Sequence, residues 1–167
     1  MRVTPAVVVD EHAWIRDRAS VVVPILNATR NRLGDLFETD VDRVDPDAYL
    51  REVDAVFTNG EVAVNVAGYV RILRDLDVEG DYPGFVVDEV LGRELASTIA
   101  GGQPLSLLAQ ATFHFADLHV DEDATAAGSG VAGADDLDAA LAAGFQTRLP
   151  GWDWREEESP FSVDPGE

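Results

Sequence analysis

The chain has 167 residues, of which 46% are hydrophobic, and its 32 acidic and 12 basic residues give a formal net charge of −20. It contains no cysteine, which excludes disulfides, thiolate metal sites and cysteine nucleophiles, and no apolar run reaches the roughly 18 residues that predict a membrane span. Every basic residue is an arginine, so a basic patch for nucleic acid would need clustered arginines. The nearest cluster is interrupted by acidic residues and predicts a solvated helix face; it consists of Arg16, Arg18, Arg30 and Arg32.

The first segment, residues 1–9, is predicted to be an extended arm or a short strand. It is rich in β-branched valine, and Pro5 disfavours an early helix. Asp10 is a suitable N-cap, and an apolar residue every three or four positions predicts helix over residues 11–37. Because Pro24 lies inside this pattern, we expect two shorter helices or one bent helix.

The middle of the chain contains one clear helix and one ambiguous stretch. Asp45 and Pro46 are typical of a helix start, and Asn59 with the following glycine is typical of a turn. Residues 61–78 fit two structures. Alternating valines after the turn favour a hairpin strand, whereas a longer set of apolar residues at helical spacing favours a helix, which is our prediction.

The densest apolar material lies in residues 84–120, which predict two helices separated by residues 101–104. A break of four residues favours an antiparallel helical hairpin, which we place at the centre of a helical core domain spanning residues 10–120. Residues 112–115 alternate polar and apolar as a strand does, but the longer helical spacing favours a helix there.

The last third of the chain changes in composition. Residues 121–133 are acidic and then rich in small residues, which predicts a flexible loop. Residues 134–149 predict a short C-terminal helix, and residues 150–167 predict an extended acidic tail with three aromatics, Trp152, Trp154 and Phe161.

Two interpretations of this tail remain open. Its aromatics either fold back onto the helices of their own chain, or they form a docking arm for another subunit, since aromatic residues are frequent interface anchors. The predicted partner-binding residues are therefore Trp152, Trp154 and Phe161.

Histidines with nearby carboxylates are the one arguable chemical site. Imidazole and carboxylate groups bind zinc, iron or manganese, and the weak candidates are His114, Asp117 and His119. Asp121 and Glu122 follow them in the sequence, and His12 and Glu11 are candidates to lie nearby in the fold. His114 and His119 lie five residues apart, which is about 140° around a helix, whereas a helical metal pair needs a spacing of three or four. No metal, cofactor or catalytic residue is therefore predicted.

The charge balance resembles that of proteins from extremely halophilic archaea or from viruses that infect them. Acidic disorder would require low hydrophobicity, which this chain does not have. In molar salt the Debye length falls to about 3 Å, so repulsion between surface carboxylates is screened. We expect a protein of a high-salt cytoplasm or of a virion, with no membrane partner, that loses stability when salt is diluted.

These patterns predict a mostly α-helical bundle of five or six helices with an extended N-terminal arm and an extended C-terminal tail. The function ranked first is a non-enzymatic structural or assembly subunit that forms a homo-oligomer or larger assembly, for example a head-to-tail connector of a haloarchaeal tailed virus. The alternatives are a metal-binding bundle enzyme around the histidines and a regulatory interaction domain of a haloarchaeal cell.

Overall fold

The structure, a computed structural model, describes residues 1–76, 79–127 and 134–152. A mostly helical fold is confirmed, but within these ranges there are seven helices rather than five or six. In these ranges the one β contact is an isolated antiparallel bridge between Val41 and Trp152, and no helix is both long and apolar enough to cross a membrane. The helices are α1 (Pro5–Asp17), α2 (Ala19–Phe37), α3 (Pro46–Thr58), α4 (Gly60–Asp75), α5 (Asp81–Ala100), α6 (Leu105–Ala127) and α7 (Ala134–Arg148).

The prediction of an extended N-terminal arm is wrong, because α1 already begins at Pro5. The Thr4 hydroxyl accepts a hydrogen bond from the backbone N–H of Val7 at 3.3 Å, so Thr4, and not Asp10, is the N-cap. Proline is favourable at the first helical position, since the N–H that it lacks would have no partner there. Pro5 therefore starts the helix that we expected it to prevent.

The break expected at Pro24 lies instead at Arg18, between α1 and α2. The Arg18 side chain is bonded to Asp138 of α7 and lies over the Trp14 ring, so tertiary contacts fix the chain at this point. Pro24 stays inside α2. The carbonyl that it leaves without a helical partner belongs to Ser20, and both residues are exposed, so water can satisfy that carbonyl.

The ambiguous stretch after Asn59 is a helix, as predicted. The Asn59 side chain accepts a hydrogen bond from the Val62 N–H at 3.3 Å and caps α4, so the turn signal marks a helix start and not a strand hairpin. Residues 77–78, at the end of that stretch, lie outside the described residues.

The central hairpin is present as α5 and α6, and both helices are longer than predicted. α5 begins at Asp81, before the predicted start at residue 84, and α6 continues to Ala127. Residues 121–127 of the predicted flexible loop are therefore helical, which agrees with the high helix propensity of alanine. Residues 128–133 lie outside the described residues.

The centre of the fold is α7, which packs most extensively against α6, α5 and α2. Every residue from 137 to 147 is buried. A helix that is buried on all sides needs small residues where its neighbours come closest, and residues 137–147 of α7 include four alanines and a glycine. The short C-terminal helix predicted over residues 134–149 is present as Ala134–Arg148, but it is the core helix and not an appendage.

Gly144 of α7 marks a close approach between α7 and α5. A Cβ at this position would lie 2.9 Å from Ile99 Cβ and 3.1 Å from the Ala96 carbonyl oxygen. We therefore expect Gly144→Ala to lower the free energy of unfolding by about 1–3 kcal/mol, the usual cost of overpacking a core. Urea unfolding followed by circular dichroism in molar KCl measures this. Gly60→Ala is the matched control, since a Cβ there meets no atom within 4 Å, and equal stability of the two variants would contradict the prediction.

Charged side chains also lie inside the fold. Glu11 of α1 is fully buried, and its carboxylate is 2.7 Å from Arg71 Nε and 2.8 Å from an Nη atom of Arg74, both on α4. Asp138 of α7 is buried beside Arg18. Burial raises the pKa of Asp138, and the hydrogen bond from Arg18 offsets only part of that rise. These pairs join helices that are distant in sequence.

Candidate interaction surfaces

The described histidines do not gather into a metal site. His114 is exposed on α6, and Asp117 is half-buried one turn further on. The side chains of His119, Asp121 and Glu122 lie outside the described residues. Among the side chains that the structure describes, no three His, Asp or Glu residues form a group that could hold a metal. His114 contacts the neighbouring Phe115 ring edge-on, with the ring centroids 6.4 Å apart.

Glu11 and His12, the candidate neighbours of these residues, belong to other contacts. Glu11 pairs with the arginines of α4, as described above. His12 stacks on Phe57 at 4.5 Å and lies 2.8 Å from the Asp54 carboxylate. Partial burial raises the pKa of Asp54, but hydrogen bonds from Arg16 and His12 outweigh it and hold that pKa below its ordinary value. Together these contacts attach α1 to α3.

A buried arginine fixes the point from which the C-terminal segment leaves the core. Arg30 of α2 is fully buried and donates hydrogen bonds to three backbone carbonyls: Asp42 at 3.3 Å, Gln146 at 3.3 Å and Pro150 at 2.6 Å. Its guanidinium carbon lies 5.1 Å from the centroid of the Trp152 ring, close enough for a cation–π contact.

The backbone completes this arrangement. The Asp42 N–H donates to the Gly151 carbonyl at 3.0 Å, next to the bridge between Val41 and Trp152. Gly151 has φ +96°, and a Cβ there would lie 2.6 Å from Asp42 Cβ, so only glycine fits both the conformation and the space. We call Arg30, Asp42, Gly151 and Trp152 the C-terminal clasp.

The clasp changes how the three tail aromatics are interpreted. Trp152 is only 3% exposed and packs against its own chain, so it is not available as an exposed anchor. For Trp152, this position agrees with the interpretation in which the tail aromatics fold back onto the helices of their own chain. Trp154 and Phe161 lie outside the described residues, and partner binding by them stays a prediction.

A second candidate surface lies on the outside of the central hairpin. Between residues 105 and 118 of α6, the exposed positions are Leu107, Ala111, His114 and Leu118, and none is a carboxylate or an arginine. On α5, Tyr82, Val86 and Val90 are exposed at intervals of four residues and so lie on one side of that helix. We call these seven residues the α5–α6 face.

The α5–α6 face contrasts with the rest of the molecule. Leu107 is 53% exposed and Leu118 is 47% exposed, although exposure of a leucine side chain to water is unfavourable. The chain has 32 acidic residues, so it is unusual that the exposed positions of α6 between residues 105 and 118 include no carboxylate. On each of the two helices these residues follow one another along one side, and exposed apolar patches mark interaction sites in soluble proteins.

The comparisons with known proteins place the chain in a family but not in a functional class. The model of a family described as Domain of unknown function (DUF7984) matches residues 1–165. The chain belongs to this family. No curated protein and no solved structure matches it. The DUF7984 domain therefore includes the clasp and also the segment with Trp154 and Phe161 beyond it.

The sequence contains a signal for the clasp of this DUF7984 domain that we interpreted wrongly. Arg30 was assigned to a solvated helix face because of its arginine neighbours. It lies, however, four residues after Leu26 and three before Leu33, both buried, so it shares their side of α2. An arginine on the apolar side of a helix predicts a buried partner, here a set of backbone carbonyls.

Proposed function

We propose that this protein is a non-enzymatic structural or assembly subunit that makes protein contacts in molar salt. The observation that carries the proposal is the α5–α6 face, an exposed uncharged surface on a chain with a net charge of −20. Burial of apolar side chains drives most protein association, and the centres of interfaces are depleted in charged residues. The α5–α6 face has both properties.

The charge of the remaining surface supports a high-salt setting. At low ionic strength, copies with a charge of −20 repel one another. In molar salt that repulsion extends only about 3 Å, and apolar contacts then determine association. The narrower form of the proposal is a subunit of a haloarchaeal cell or of a virion, such as a head-to-tail connector. The helical core and the aromatic C-terminal segment held at the clasp support that form.

Light scattering coupled to size exclusion in molar KCl tests the proposal. We expect the full chain to have a molar mass that is a multiple of 18.0 kDa. A chain ending at Trp152 keeps the clasp and is the matched variant. If it still assembles, the folded domain is sufficient. If it is monomeric and folded, Trp154 and Phe161 carry the contact. A full chain that stays monomeric at every concentration in molar KCl would contradict the assembly function.

A further inference from the structure

The exposed residues of α6 have a spacing that suits pairing with another helix. Leu107, Ala111, His114 and Leu118 follow one another at intervals of four, three and four residues. This is the spacing of the contact positions in a heptad repeat, which places them in one line along the helix. The other sides of α6 are already covered by α5, α7 and α2.

From this arrangement we propose that α6 pairs with α6 of a second copy, antiparallel, about a two-fold axis that passes between Ala111 and His114. The inference rests on the proposed assembly function and names its partner. The spacing reads the same in both directions along the helix, as an isologous two-fold contact requires. Each leucine then meets the opposite leucine of the other copy, Leu107 against Leu118.

Side-chain size favours the antiparallel arrangement over the parallel one. About this axis, the large His114 ring of one copy lies opposite the small Ala111 of the other, so the two helices can pack closely. A parallel pair would instead place histidine against histidine and alanine against alanine. The first arrangement fills space evenly, whereas the second leaves one gap and one crowded layer.

Charge favours a second copy as the occupant, because none of the four contact residues of α6 is a carboxylate or an arginine. The two helices of the hairpin run antiparallel, so Arg93 of α5 lies alongside Thr112, level with the proposed axis. Arg93 and Glu94 are both exposed there and have opposite signs. Arg93 already pairs with Glu89 of its own helix, so a second copy brought against this rim meets a neutralised arginine and not a free charge. The contact itself contains no carboxylate, and molar salt screens the charge elsewhere.

Interchain disulfides test the orientation directly, because the natural chain has no cysteine. The full chain is made with Leu107→Cys or with Leu118→Cys, and each variant is oxidised in molar KCl alone and in an equimolar mixture. We expect a disulfide-linked dimer only in the mixture. In an antiparallel pair, position 107 lies about 16 Å along the axis from its own counterpart, too far for a disulfide, but opposite position 118.

Val64→Cys on α4 is the control for random collision, since Val64 is 47% exposed, as Leu118 is. Disulfide-linked dimers of each variant alone, at a yield above this control, would mean a parallel pair and overturn the proposed orientation. If the variants have a multimeric mass but no interchain disulfide forms at position 107 or 118, the pairing of α6 with α6 is overturned and the assembly function still stands. A monomeric mass would overturn both.

A charge substitution gives a second, independent readout. Ala111→Glu places a carboxylate from each copy next to the axis, and like charges in an interface oppose association. We expect the dissociation constant in molar KCl to rise at least tenfold, while Val64→Glu leaves it within about twofold, with unchanged helical circular dichroism for both. Equal dissociation constants for the two variants would overturn the inference. Loss of assembly after truncation beyond Trp152 would identify the C-terminal segment as the occupant instead.

Discussion

Arg30→Ala is expected to lower the free energy of unfolding by about 3–5 kcal/mol, the range for truncating a large buried side chain that leaves its partners unsatisfied. Arg30 supplies the hydrogen bonds to the carbonyls of Asp42, Gln146 and Pro150 described above. The substitution leaves those carbonyls without this donor and removes the group on which Trp152 packs. Both ends of the clasp, the loop after α2 and the end of α7, should loosen together.

Urea unfolding in molar KCl measures this loss, and a red shift of tryptophan fluorescence before the main transition would report release of Trp152. Arg32→Ala is the matched control, because Arg32 is on the same helix but exposed, and its effect should stay within about 0.5 kcal/mol. Arg30→Lys keeps the positive charge, but lysine lacks the planar guanidinium group that donates to three carbonyls. Its loss of unfolding free energy should therefore lie between those of Arg30→Ala and Arg32→Ala. An unfolding midpoint for Arg30→Ala equal to that of Arg32→Ala would contradict the role of the clasp.

The sequence predicted helix positions well wherever local chemistry decided them. Asp45 caps α3 by accepting a hydrogen bond from the Ala48 N–H at 2.7 Å, as expected from the Asp-Pro pair. The hairpin of α5 and α6 followed from spacing and from the glycine break. The error at Pro5 arose because proline has opposite meanings at the first position of a helix and in its interior, and the sequence pattern did not distinguish them.

The packing order could not be predicted in the same way. α7 is the central helix although alanine is its most frequent residue, and a search for large apolar residues ranks such a helix low. The sequence signal of α7 is that no charged residue lies between Asp138 and Arg148, which is typical of a helix covered on all sides. Which helices cover it depends on close approaches such as that of Gly144 to Ile99, and these are properties of the folded chain.

The candidate surfaces were predicted only in part. Aromatics near the C-terminus drew attention to the tail, but the sequence does not show that Trp152 turns back onto Arg30, because that contact joins residues 122 positions apart. The α5–α6 face was missed, since an exposed leucine and a buried leucine look alike until the helix is placed. Its signal was the lack of acidic residues in residues 105–116 of an acidic chain.

Glu11→Ala should lower the free energy of unfolding by about 3 kcal/mol, the lower end of the cost of breaking a buried ion pair from one side. The carboxylate is fully buried between Arg71 and Arg74, and it joins α1 to α4. The two arginine side chains are 27% and 33% exposed, so water can partly replace the lost partner. This partial exposure is why we expect the lower end of the range.

Asp10→Ala is the matched control, since Asp10 is the neighbouring acid and lies 3.9 Å from Arg71 but is 69% exposed. Exposed pairs contribute about 0–1 kcal/mol, and molar salt reduces even that, so this variant should unfold like the natural chain. Urea unfolding of both variants in molar KCl and at lower salt separates the two kinds of acid. The loss caused by Glu11→Ala should persist at both salt concentrations, because a buried pair is poorly screened. Equal effects for Glu11→Ala and Asp10→Ala would mean that the buried carboxylate does no more for the fold than the acidic surface around it.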